Sequence, residues 1–228
     1  QAGLQTMTPA TAAQTFREGV LERNPAWVQL LGLCPLLAVS NSLVNALGLA
    51  AASALVLVGA NSMIAALRHQ IPAFARLPCF VLVIATFTTL AVLLMQAFAF
   101  DLYLRIALFV QIIVTNCMIL GRAEAFASRQ PIGVALMDAL GTACGFALAL
   151  IALGSVRELL ATGGLLGNMD LLFGPSAASW HLQLPGVDSG LLLAALPPGA
   201  FIIAGLLLAS ARVLRTLART DRAAEDRD

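Results

Sequence analysis

Two cysteines stand out by their surroundings. Cys34 sits in Val28-Gln29-Leu30-Leu31-Gly32-Leu33-Cys34-Pro35-Leu36-Leu37, and Cys117 in Val110-Gln111-Ile112-Ile113-Val114-Thr115-Asn116-Cys117-Met118-Ile119-Leu120. Each segment has Val-Gln, two branched aliphatics, a short irregular element and then a Cys in an apolar run. Two thiols brought to one place could form a disulfide, act as a redox pair or supply half of a metal site. Iron–sulfur clusters take four Cys thiolates, so this pair would fill half of one. Of the other cysteines, Cys79 follows Pro78 at the start of an apolar stretch, too shallow to reach easily. Cys144 lies among Gly141, Thr142 and Gly145, where a small packing residue is the ordinary explanation. A related partner with its own pair of such segments would complete the site symmetrically.

The elements that must position these thiols are membrane spans. The chain is 60% hydrophobic and 11% charged, with a mean hydropathy of +0.90, whereas soluble domains carry roughly 25% charge. Its 13 basic residues are all Arg. Six stretches have about the 20 apolar residues that a ~30 Å hydrocarbon core requires: residues 26–46, 49–67, 77–98, 102–120, 132–153 and 191–212. Asn45 and Gly48, Arg68 to Pro72, Asp101, and Arg122 to Pro131 read as the breaks between them. A long outer loop of about 154–189 separates spans five and six. Residues 1–25 read as a cytoplasmic N-terminal segment without a signal-peptide layout. Residues 213–228 read as an Arg-rich cytoplasmic tail that continues span six as a polar helix. No room remains for a nucleotide-binding fold or a hydrolase core.

Arginine placement sets the topology. Arg17, Arg23, Arg68, Arg76, Arg122, Arg129 and the five from Arg212 to Arg227 fall on one face, and only Arg105 and Arg157 on the other. The positive-inside rule then puts both termini in the cytoplasm. Trp27 and Tyr103 suit interfacial anchors.

Because three spans separate spans one and four, the two Cys segments cross in opposite directions. The fold expected is an all-α integral membrane protein of six transmembrane helices, built as two inverted three-helix repeats. Working sites of such repeats lie at their interface. At 1.5 Å per residue, Cys34 lies ~12 Å from the cytoplasmic face and Cys117 roughly 8 Å from it, so the thiols approach one level. Both spans are expected to break there. Pro35 removes a donor and clashes with the carbonyl of Leu31, while Thr115 and Asn116 can bond backbone groups freed by unwinding. Irregular backbone at such depth is tolerated where it is buried in protein or lines a cavity. A plain proline kink is the alternative for span one taken alone; the same feature in both halves favours the broken-helix reading.

Other residues carry weaker signals. Arg122 and Glu124 could dock a neighbouring subunit, balance charge at the site or form a local ion pair, and Arg157 and Glu158 admit the same readings. Asp138 is the acid within a span, and such acids are costly and often functional; an ion-path role is one reading. Pro197-Pro198-Gly199 reads as a kink within span six. His69 and His181 have no ligand-like spacing, and Trp180 with residues 170–173 suits a membrane or partner contact.

Residues 28–39 (VQLLGLCPLLAV), 113–127 (IVTNCMILGRAEAFA), 154–160 (GSVRELL) and 196–202 (LPPGAFI) closely resemble the E-type membrane subunits of Rnf electron-transport complexes. Their family includes the NqrD subunits of sodium-pumping NADH:quinone reductases. The likeness runs from about Asn24 to Arg212. The resemblance implies a [2Fe-2S] cluster held within the membrane between this subunit and a homologous A-type subunit, with Cys34 and Cys117 as this chain's ligands to iron and Cys79 and Cys144 as non-ligands. It implies the partner subunits B, C, D and G, the lipid bilayer of a bacterial cytoplasmic (inner) membrane, and no nucleic acid. The activity implied belongs to the complex, not to this subunit alone: electrons pass between ferredoxin and NAD, coupled to Na⁺ or H⁺ movement. An NqrD-like subunit, with quinone as acceptor, is the near alternative. From other classes, a secondary transporter should cluster carboxylates at the breaks, which offer only Cys, Pro, Thr and Asn. A structural subunit should tolerate loss of both thiols.

Overall fold

The computed structural model describes residues 27–165, 182–183 and 196–225. Expectations for residues 1–25, for Trp180, His181 and residues 170–173, and for the end of the tail lie outside those residues. The described chain is helical, apart from one short antiparallel ladder. In order come α1 (Leu33–Val39), α2 (Leu43–Leu67), a 3₁₀ turn (Ala73–Ala75), α3 (Arg76–Phe98) and α4 (Phe100–Gln111). A 3₁₀ stretch (Ile112–Thr115), α5 (Cys117–Arg122), a π-helical turn (Ala123–Ala127), α6 (Ile132–Thr162) and α7 (Pro197–Glu225) follow. The ladder joins β1 (Gly164–Leu165) to β2 (Leu182–Gln183), pairing Gly164 with Gln183 and Leu165 with Leu182.

Among the described residues, four stretches are long and apolar enough to cross a membrane: Leu43–Leu67, Arg76–Phe98, Phe100–Ala127 and Ile132–Thr162. The N-terminal part of α7, Pro197–Val213, is a shorter apolar helix. In the most apolar windows of α2 and α6, 61% and 56% of residues are buried, against 28% in α3, so α2 and α6 form the central pair. Their contact is close because lipid offers no hydrophobic drive between helices, and small residues let backbones approach. A methyl added at Gly154 of α6 would stand 3.1 Å from the Cβ of Ala46 on α2. The outer helices instead expose Leu82, Leu93, Phe98, Leu104 and Leu108, the surface a lipid-facing helix presents.

Several expected boundaries need correction. Residues 26–46 are not one helix: Trp27 and Val28 form a turn, α1 spans two turns, and a second break at 40–42 precedes α2. Asn45 and Gly48, read as the gap between spans one and two, lie buried inside α2. Asn45 escapes the usual cost of a buried amide in part, through its Nδ2 donating to Asn41 Oδ1 at 3.1 Å. The helix of span five runs on to Thr162, into what reads from hydropathy as outer loop, and ends where Gly163 takes a left-handed conformation at φ 68°. Pro197-Pro198 does not kink a helix; it opens α7, at the first-turn position where a missing N–H has no partner to lose. The polar helix expected beyond span six is present through Glu225.

Candidate functional site

The break before Cys117 forms as its sequence suggests. After α4 the chain tightens into the 3₁₀ stretch, with Thr115 Oγ1 donating to the carbonyl of Ile112 at 3.1 Å. Asn116 then extends (φ −64°, ψ 115°), and its Oδ1 accepts from the N–H of Met118 at 3.0 Å. This is an N-cap, and it makes Cys117 the first residue of α5. The other amide atom of Asn116, Nδ2, is buried without a hydrogen-bond partner among the described residues.

The break at the first motif differs in detail from the expectation. Leu30 and Gly32 both adopt positive φ, 55° and 76°, and α1 starts only at Leu33. Pro35 therefore falls in the first helical turn, where its absent N–H breaks no hydrogen bond, and Leu31 is not helical to be clashed with. Glycine is required at position 32, because its φ is left-handed and because an added methyl would meet Phe146 Cε2 at 3.1 Å and Asn116 Oδ1 at 3.4 Å. The turn is tight enough for the backbone N–H of Gly32 to donate to Cys117 Sγ at 3.3 Å. The two motifs thus meet, with the sulfur of one held by the backbone two residues before the thiol of the other.

Cys34 and Cys117 are both free and exposed. Cys79 is half-buried on α3. Cys144 is also exposed, on the α6 face that carries exposed Leu140 and Leu148. Among the described residues no group of three or more His, Cys, Asp or Glu side chains gathers to hold a metal ion.

Four of the charged residues, Arg122, Asp138, Arg157 and Glu158, make internal contacts. Arg122 forms a buried, two-pronged ion pair with Asp138: Nε donates to Oδ2 at 3.1 Å and Nη2 to Oδ1. Its guanidinium also stacks over Phe126, 5.4 Å from the ring centroid. Arg122 is thus paired with Asp138, the acid within a span, and not with its neighbour Glu124, whose Oε2 is buried with no hydrogen-bond partner among the described residues. Arg157 and Glu158 are buried as well. Arg157 Nη1 donates to the carbonyl of Leu37 and to Ser40 Oγ, both at 2.9 Å, and Glu158 Oε2 accepts from the N–H of Leu43 at 2.6 Å. Sequence reasoning passed over Ser40 and Phe146, whose roles depend on α1 and α6 meeting in space. The capping residues Ser40, Asn41 and Ser42 in a row were the available signal for a break.

What is assembled here is a polytopic helical membrane protein in which the turn leading into the helix of Cys34 touches the sulfur of Cys117 at the break in a second helix. A family model described as "Rnf-Nqr subunit, membrane protein" matches residues 12–208, and the chain belongs to that family. A relative in Cellvibrio japonicus is 49% identical over 205 residues, covering 90% of this chain and 86% of its own length. One in Pseudomonas paraeruginosa is 51% identical over 208 residues (91% and 87%), and one in Vibrio parahaemolyticus 49% over 201 (88% and 87%). All three are named as the E-type subunit of an ion-translocating oxidoreductase complex.

Proposed function

We propose that this chain is the E-type membrane subunit of an ion-translocating oxidoreductase complex of the Rnf type. It binds half of a [2Fe-2S] cluster through Cys34 and Cys117, and a homologous A-type subunit supplies the other two thiolates. It has no activity alone; within the complex, with subunits B, C, D and G, it serves electron transfer between ferredoxin and NAD coupled to Na⁺ or H⁺ movement. The chain crosses a bacterial inner membrane six times as two inverted halves, with the segment ending in α1 as span one, α7 as span six and both termini cytoplasmic. The names borne by relatives that align with some nine-tenths of this chain favour the E-type reading over an NqrD-like one.

The observation that carries the cluster reading is the hydrogen bond from Gly32 to Cys117 Sγ, which brings the two motifs together. The residues present fit half a cluster. Two free, exposed thiols lie in the first turns of two helices, whose first N–H groups favour an anionic neighbour. Asn116 Nδ2 is a buried donor with no acceptor among the described residues. No third ligand gathers among the described residues, and the reading therefore takes the remaining ligands from a partner. When bound, the group supplies a one-electron relay. The chain's own part is to hold its thiolates, donate N–H groups towards them and keep the locus fixed.

The test is EPR with iron and sulfide analysis on the complex purified in detergent, for wild type, Cys34→Ala and Cys117→Ala. Loss of one [2Fe-2S] signal in both variants, with subunits still assembled, supports the reading. Signal and turnover that survive both substitutions refute it.

A further inference from the structure

We infer that Arg157 and Glu158 are positioning residues, which reach from α6 to hold the two sides of the break at 40–42 and thereby fix the short helix carrying Cys34. The inference rests on the reading of Cys34 as a cluster ligand. α1 is only seven residues long, too short to be stable through its own hydrogen bonds, and its N-terminal side is a turn with two left-handed residues. Its geometry must be imposed from outside.

Two adjacent side chains do so, each matched to the helix end it meets. The last carbonyls of a helix lack intrahelical donors and carry partial negative charge. There Arg157 donates to the carbonyl of Leu37, one turn beyond Cys34, and to Ser40, the residue that ends α1. The first N–H groups of a helix lack acceptors and carry partial positive charge. There Glu158 accepts from Leu43, the first residue of α2. Ser42, the residue before it, makes no side-chain cap of its own, so the carboxylate fills that role. One dipeptide on a single helix thus satisfies both ends of a discontinuity more than a hundred residues away in sequence. A surface pair for docking would be exposed; Arg157 is 2% and Glu158 4% exposed.

The experiment uses the intact complex in detergent with Arg157→Gln, Arg157→Lys, Glu158→Gln and Ser40→Ala. Hydrogen exchange is read by mass spectrometry on peptides covering residues 33–43, with α3 peptides as internal control, and the cluster is read by EPR. Loss of a charge-assisted hydrogen bond should speed exchange in 33–43 by about tenfold or more in Arg157→Gln. Glu158→Gln should act chiefly on the Leu43 amide, α3 should not change, and Arg157→Lys should restore part of the protection. The EPR line shape should shift or its intensity fall in step. Should the Arg157→Gln complex fail to assemble, Ser40→Ala decides, since it removes one acceptor and no charge; a several-fold rise confined to 33–43 supports the clamp. Unchanged exchange in the assembled variants overturns it. Faster exchange with a wild-type cluster spectrum overturns the positioning role. If Cys34→Ala keeps the cluster signal, the ligand assignment fails, while the exchange data still judge the clamp by themselves.

Discussion

Gly32→Ala is the sharpest perturbation of the locus, because it leaves the N–H that binds Cys117 chemically intact and disturbs only where it points. Two contributions add. An alanine at φ 76° holds a left-handed conformation at about 1–2 kcal/mol. Its methyl also stands 3.1 Å from Phe146 Cε2 and 3.4 Å from Met118 Cβ. Phe146 and Met118 are both fully buried, so neither ring nor side chain can swing away, and overpacking adds about 1–3 kcal/mol. The sum is roughly 2–5 kcal/mol, read as a shift in the reversible unfolding of the purified chain in mixed micelles titrated with denaturing detergent. The two parts separate in a double-mutant cycle with Phe146→Leu. The smaller side chain should relieve the clash, giving a favourable coupling of about 1 kcal/mol or more, and leave the left-handed penalty in place. A cost below about 1 kcal/mol with no coupling would mean that position 32 is neither left-handed nor packed on α6. The contact with Cys117 would then lose its basis.

Two further sets of substitutions test the supports of the Cys117 side. Asp138→Asn leaves the buried Arg122 guanidinium without its carboxylate and should destabilise the chain by about 3–5 kcal/mol, whereas Arg122→Met with Asp138→Leu should recover most of that loss; the same detergent titration checks both. Asn116→Ala removes the N-cap of α5 and should cost about 0.5–2 kcal/mol, while Asn116→Ser, which keeps an oxygen able to accept from Met118 and adds no charge, should cost less. Equal effects of the two Asn116 substitutions would show that the cap contributes nothing.

The sequence was most informative where an apolar run carried residues that did not belong in it. Thr115 and Asn116 stand out between Val114 and Met118, and both bond backbone groups at the break as their chemistry suggests. The helix α3 was legible for the same reason in reverse, since no charged residue interrupts it after its first turn. Ser40, Asn41 and Ser42 were passed over because small polar residues also occur within spans, and the side chains that make them a break lie on α6. Hydropathy placed the start of span six at 191, while proline chemistry places the start of α7 at Pro197. Asp138 and Arg122 could have been paired in advance. They are 16 residues apart, near the end of one span and the start of the next, so the loop between them brings both to the same end of the bundle.

The central position of α6 explains how two short, internally weak helices can be held so that the turn before Cys34 meets Cys117. Asp138 grips α5 through Arg122, Phe146 packs where Gly32 meets Cys117, and Arg157 grips α1 through Leu37 and Ser40. From Asp138 to Arg157 is ~28 Å along a continuous helix at 1.5 Å per residue, so the anchors of α5 and α1 sit towards opposite ends of one rod, with the contact of Gly32 and Cys117 between them. Each short helix begins at the locus and is tied at its far end, α5 by a charge it carries to an acid on α6 and α1 by its bare carbonyl to a charge on α6. Opposed directions of α1 and α5 follow from that arrangement, as two halves of inverted topology would require. The cost of two interruptions within apolar surroundings is thus offset by buried polar contacts to a single uninterrupted helix, and the placing of the two Cys segments is governed by a rod instead of by two loops.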